Sequence, residues 1–152
     1  MGEGKITMVD ISEKPDVLRI AEAEGSIILK KETINAIKDK KIKKGDVFEN
    51  AKLAAVNGVK YTPYVIFLAH PLQITNVDVK FDVDEAASKI KVVVTVKSIG
   101  KTGVELEALN GVFASLMAIW DLCKYLEKDE SGQYPITKIT DIRVVKKIKA
   151  PL

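Results

Sequence analysis

The segment "WDLCK" sets Asp121 and Lys124 three residues apart, which puts them on one face if the stretch is helical. Such a pair is commonly a plain surface ion pair. It also has the make-up of a proton-transfer pair, because a lysine serves as acid or base once its pKa is lowered, and an adjacent aspartate orients it. Cys123 lies between them in sequence but on another side of the helix, so it reads as a buried residue and not as a nucleophile. In "GKTGVELE", residues 100–107, Thr102 followed three places later by Glu105 fits a capping box; this explains Glu105 without function and leaves Glu107 unexplained. The exposed N–H groups of that helix start, with Lys101 beside them, would suit an anion, but the spacing is not that of a P-loop.

The only histidine, His70, closes the apolar run "VIFLAH" ahead of Pro71. With no second histidine and no cysteine at ligand spacing it has no metal partner, so by type it fits a core or capping role, and metal catalysis is not expected. Lys44 and Lys60 are, taken singly, surface lysines. The five lysines of "KDKKIKKGD", residues 38–46, and the three of "VVKKIKAPL" read as solvated surface, with a phosphate-bearing ligand as the functional alternative.

These residues need a frame. "VLRIAEAEGSIILK", residues 17–30, predicts a first strand, and "KETINAIKDK" a short helix. "GDVFENAKLAAVNGVK" predicts a helix ending near Asn57-Gly58, followed by a further helical turn with Thr62 as N-cap and Pro63 in first position. "LQITNVDVKFDVD" alternates Val77, Val79, Phe81 and Val83; "KIKVVVTVKSI" alternates Ile90, Val92, Val94 and Val96; "EAAS" joins the two as a hairpin. One long helix through "WDLCK" and a last strand carrying Ile136, Ile139, Ile142 and Val144 complete the order β, α(α), β, β, α, β. That order is the split β-α-β pattern of a ferredoxin-like α+β sandwich, an antiparallel four-stranded sheet with helices on one face.

The long helix is apolar on more than one side. Gly111, Ala114, Ser115 and Ala118 form a small-residue stripe, which is expected to admit a helix of another subunit. From Glu105 to Asp121 at ~1.5 Å per residue is roughly 24 Å, so one small ligand does not reach both ends within one chain. If both ends act, a site shared between subunits is the simplest arrangement.

At 152 residues the chain has the size of a single domain, with residues 1–8 and 146–152 expected as flexible ends. Apolar residues at 47% and charged residues at 30% exclude the disordered and fibrous classes. The uncharged stretch Ala108–Trp120 falls short of the ~20 residues of a membrane span. The single cysteine and the start "MGEGKITMVD", which has no apolar signal core, suit a cytoplasmic protein, and a net charge of 24 − 21 = +3 does not demand nucleic acid.

Together, "MVDIS" at 8–12, "KGDVF" at 44–48, "LAHPL" at 68–72, "GKTGVELEAL" at 100–109 and "WDLCK" at 120–124 resemble, in order and spacing, the molybdenum cofactor biosynthesis protein C family, the cyclic pyranopterin monophosphate synthases. The resemblance runs from about residue 8 to residue 145. It implies a ferredoxin-like subunit in a homohexamer, a trimer of dimers with active sites at the dimer interface. The implied reaction is a phosphorus–oxygen lyase step converting 3′,8-cyclo-7,8-dihydro-GTP to cyclic pyranopterin monophosphate and pyrophosphate. By motif, Asp121 and Lys124 resemble the catalytic pair, and Lys44 and Lys60 resemble active-site lysines. Leu68, Ala69 and His70, with Glu105, Leu106 and Glu107, match stretches that line the substrate pocket. No cofactor or metal is required, and magnesium carried by the triphosphate is compatible with the scheme; neither nucleic acid nor membrane is an implied partner. The chain departs from the family in having Ala69 where cysteine is frequent, Leu106 where methionine is frequent, and "VVKKIKAPL" in place of a Gly-Lys-rich tail, so no tail lysine is assigned.

Two other classes share the element order. An RNA-binding module would stack bases on aromatics of its first and third strands, and neither strand segment has one. A non-catalytic small-molecule sensor differs from an enzyme in that Asp121→Ala would abolish no turnover.

Overall fold

The computed structural model describes residues 4–152. The elements are β1 (Val17–Ile28), α1 (Lys31–Lys38), α2 (Val47–Val65), β2 (Ile74–Asp84), β3 (Lys89–Gly100), α3 (Glu105–Glu127) and β4 (Lys138–Ala150). They form one antiparallel sheet in the order β2-β3-β1-β4, with α2 and α3 packed together over one face, as the ferredoxin-like expectation requires. Residues 1–3, part of the expected flexible start, lie outside the described residues. Residues 146–150, expected in a tail, belong to β4 and pair with β1 as far as Leu18↔Ala150.

Period-2 alternation builds the sheet. Ile90, Val92, Val94 and Val96 of β3 are fully buried beneath the helices, and Ala21, Ala23 and Ile27 of β1 join them. β4 is less regular: its register with β1 shifts between Glu22 and Ala23 and again between Glu24 and Ser26, and Asp141 takes a positive φ of 57°. Ile136 lies ahead of β4 and is exposed.

Helix α2 does not stop at Asn57-Gly58; it runs on to Val65, with Thr62 and Pro63 inside it. Gly58 is needed for proximity and not for a turn. A Cβ there would lie 2.7 Å from the Ala114 Cβ and 2.8 Å from the Asn110 carbonyl oxygen of α3, while the Asn110 side chain donates to the Gly58 carbonyl at 2.6 Å. Pro63 has no N–H for the carbonyl four residues back. The buried Thr62 hydroxyl replaces it, donating to the Val59 carbonyl at 3.0 Å and lying 3.1 Å from that of Gly58.

The same crossing corrects the expectation for the small-residue stripe. Gly111 faces Val59 and the Ala55 carbonyl, and Ala114 faces Gly58, so the helix admitted by the stripe is α2 of the same chain. What α3 leaves exposed is large: Leu106 (45%), Phe113 (45%) and Met117 (58%), at spacings that share one face. Helix α3 is also long and apolar enough to cross a membrane, but 50% of that stretch is buried inside the fold, as in a core helix.

Adding a methyl group at the crossing tests its closeness. Gly58→Ala should gain the helix propensity of alanine, ~1 kcal/mol, yet lose more to overpacking, for a net loss in urea unfolding. A stability gain would mean that the helices have room to separate.

Candidate functional site

Asp121 is exposed in the second half of α3, with its carboxylate bracketed by two ammonium groups: Lys44 Nζ lies 3.0 and 3.1 Å from the two carboxylate oxygens, and Lys124 Nζ lies 3.1 Å away. Lys44 is delivered by the turn before α2. The Lys43 N–H donates to the Tyr125 hydroxyl at 3.0 Å, and the Lys43 ammonium sits 5.2 Å from that ring's centroid, tying the turn to α3. Gly45 then takes a φ of +116°, and Asp46 caps α2 by accepting from the Glu49 N–H at 3.0 Å. The two lysines, Lys44 first and Lys124 second, hold the Asp121 carboxyl below its ordinary range. Beside the trio a cavity of about 330 Å³ is lined by Met117, Trp120, Asp121, Lys124, Tyr134 and Ile139. Trp120 and Tyr134 form part of its wall with ring centroids 4.8 Å apart.

The other end of α3 makes a second pocket, of about 370 Å³. Leu68, Ala69 and His70 enter it from the loop between α2 and β2, and Glu105, Leu106 and Glu107 enter it from the first turn of α3. All six residues expected of a substrate pocket therefore line a single one. Glu107 is 3% exposed; burial pushes its carboxyl above the ordinary 4.5, and the charge of Glu105 adds to the rise. The capping box is not formed. Val104 is the N-cap without a side-chain bond, and Glu105 pairs with Lys147 at 3.4 Å instead. The buried Arg19 donates from Nε to the Gly100 carbonyl at 3.3 Å and from a terminal nitrogen to that of Lys101 at 3.2 Å, tying the chain that leads into α3 to β1.

Lys60 joins neither group; it borders a depression on α2 with Leu53, Ala54, Val56 and Asn57. Cys123 is buried, and burial, followed by the charge of Glu127, pushes its thiol up to about 12, so it is no nucleophile.

Arg19, Lys147 and Lys14, the last a lining residue of the larger pocket, carry no role in the sequence reading. Arg19 had a legible signal, since it stands in phase with Ala21, Ala23 and Ile27 on the core side of an alternating strand. Lys14 and Lys147 had none beyond their charge.

The profile of the MoaC family matches residues 8–150. This chain belongs to the MoaC family. It is 54% identical over 147 residues (97% of this chain, 93% of the relative) to the probable cyclic pyranopterin monophosphate synthase of Archaeoglobus fulgidus, and 50% identical over 147 residues (97% and 93%) to the one of Pyrococcus furiosus. It is also 51% identical over 150 residues (99% and 93%) to a probable cyclic pyranopterin monophosphate synthase accessory protein of Methanothermobacter thermautotrophicus. The MoaC motifs that the sequence suggested fall on the two pockets at the ends of α3 and on the lysine turn that reaches one of them.

The raised Glu107 pKa has a stability consequence. The folded chain holds this proton more tightly than the unfolded one, so the stability of the neutral form is complete below the ordinary value of 4.5 and is lost as pH rises through the higher folded value. Glu107→Gln removes that loss. Calorimetry should show a higher Tm for the variant at about pH 7 and little difference near pH 4; equal shifts at both would assign the effect to packing.

Proposed function

We propose that this chain is a cyclic pyranopterin monophosphate synthase of molybdenum cofactor biosynthesis, acting on 3′,8-cyclo-7,8-dihydro-GTP and releasing pyrophosphate as a phosphorus–oxygen lyase. The observation that carries the reading is the Asp121 carboxylate bracketed by Lys44 and Lys124, in a chain that keeps the MoaC motifs over nearly its whole length. The ring rearrangement moves protons on and off oxygen and nitrogen, which a lysine directed by an ionised aspartate does. Departing pyrophosphate accumulates negative charge, and Lys44 supplies counter-charge; Lys60, which the resemblance also implies, lies outside both groups within one chain and would take part only from another subunit. In the other pocket, Glu105 and Glu107 present carboxyl oxygens to the N–H edge of the ring, and His70 adds an imidazole. The scheme requires no cofactor, and magnesium carried by the triphosphate is compatible with it.

The two groups sit at opposite ends of α3, roughly 24 Å apart by helix rise. A two-fold apposition of the exposed α3 faces, through Leu106, Phe113 and Met117, would set the Asp121 end of one chain over the Glu107 end of the next. This supports a dimeric active site and, with three such dimers, the hexamer of the resemblance. The scheme suits a cytoplasmic protein supplied with a GTP-derived substrate.

The direct assay supplies the cyclised dihydro-GTP and follows pyrophosphate together with a pterin that fluoresces after oxidation. Asp121→Ala should cut turnover by about 10²-fold or more while leaving the oligomer intact in sedimentation, and unchanged turnover would refute the role of Asp121 and favour a sensor. Phe113→Asp should yield a folded but smaller species with little turnover. A full-sized, active assembly in that variant would place the shared site elsewhere.

A further inference from the structure

One wall of the larger pocket comes from a segment with no secondary structure. Thr7, Val9 and Ile11 line it at a spacing of two, as an extended chain presents alternate residues to one side, and Lys14 follows. Among the described residues, the only backbone–backbone hydrogen bond of this segment is local, from the Lys14 N–H to the Ile11 carbonyl at 3.0 Å. It is held to the fold by side chains from the two loops that form the rest of the pocket: His70 Nε2 lies 2.8 Å from the Val9 carbonyl oxygen, and Lys101 Nζ donates to that of Lys14 at 2.9 Å. A carbonyl oxygen only accepts, so Nε2 is the ring nitrogen that carries the proton. In the neutral imidazole this leaves Nδ1 as a bare acceptor.

We propose that residues 7–14 are a strap that closes the substrate pocket, and that His70 is its positioning residue, clamping Val9 through Nε2–H and offering a ligand only the acceptor Nδ1. The clamp sorts the contacts available to His70. An acceptor matches a ring N–H of the substrate and does not match a phosphate oxygen, which needs a donor. The charged phosphates are then left to the lysines.

The inference rests on the synthase reading for the identity of the ligand alone. Because His70 is the single histidine, its imidazole nitrogens give unambiguous ¹⁵N signals. The full chain should show a fixed Nε2–H tautomer, and removal of residues 1–9 should return the ring to the mixed signal of a solvent-exposed histidine; an imidazole spectrum untouched by the deletion overturns the clamp. With cyclised dihydro-GTP, the same deletion and His70→Leu should each raise KM about tenfold, as loss of an interaction of about 1.4 kcal/mol would, with kcat changed much less. His70→Gln keeps an N–H donor for Val9 and an oxygen acceptor, and should restore most of that affinity. An unchanged KM in the deletion and in His70→Leu, or a loss confined to kcat, overturns the strap. Absence of turnover in the full chain would instead sink the synthase reading, with the imidazole spectra still testing the clamp.

Discussion

The close crossing of α2 and α3 is the constraint on which the rest of the molecule depends. Where two helices meet without side chains at Gly58 and Gly111, their backbones approach far enough for the Asn110 amide to bond the Gly58 carbonyl directly. That contact fixes the height of both helices over the sheet. Helix α3 runs uninterrupted from Glu105 to Glu127, and its length sets the separation of the two pockets. The C-terminal end is anchored as well: the buried Glu127 carboxylate accepts from the Lys30 N–H ahead of α1, from Thr33 and from Thr137. A buried carboxylate satisfied by three donors at the start of a helix is favourable both as a hydrogen-bond hub and against the helix dipole.

Charge is divided between the ends of α3. At the Asp121 end, one carboxylate is outnumbered by two ammonium groups and stays ionised. At the Glu107 end, one of two neighbouring carboxyls is buried, and burial, with the charge of Glu105 added, favours its protonated form. Two acidic environments with opposite pKa displacements on one helix are the arrangement expected where different steps need an ionised and a neutral acid.

Strands β2 and β3 were legible because their apolar residues alternate, and the ferredoxin-like class followed from the element order. The end of α2 was not, since Asn57-Gly58 and Thr62-Pro63 carry the local chemistry of a stop and a start. Tertiary contact overrode both, with Gly58 serving the crossing and Thr62 repairing the carbonyl that Pro63 leaves free. The capping box also failed: Val104 and not Thr102 is the N-cap, and Glu105 turns to Lys147 of the last strand. The pocket residues of the 68–70 and 105–107 stretches were found through motif order and not through their own chemistry. His70 by itself resembles a core residue, and nothing local shows that its ring reaches back to Val9 across 61 positions.

The sheet has two open margins, β2 and β4, and they differ in how they resist unwanted growth. β4 is long, at 13 residues, and exposed along most of its length. Its two register shifts and the left-handed Asp141 interrupt the row of free N–H and C=O groups, and Lys138, Lys146, Lys147 and Lys149 charge it. A foreign strand docking there would meet a kinked, cationic template with no continuous register. The irregularity of the last strand thus works as a guard against edge-to-edge polymerisation.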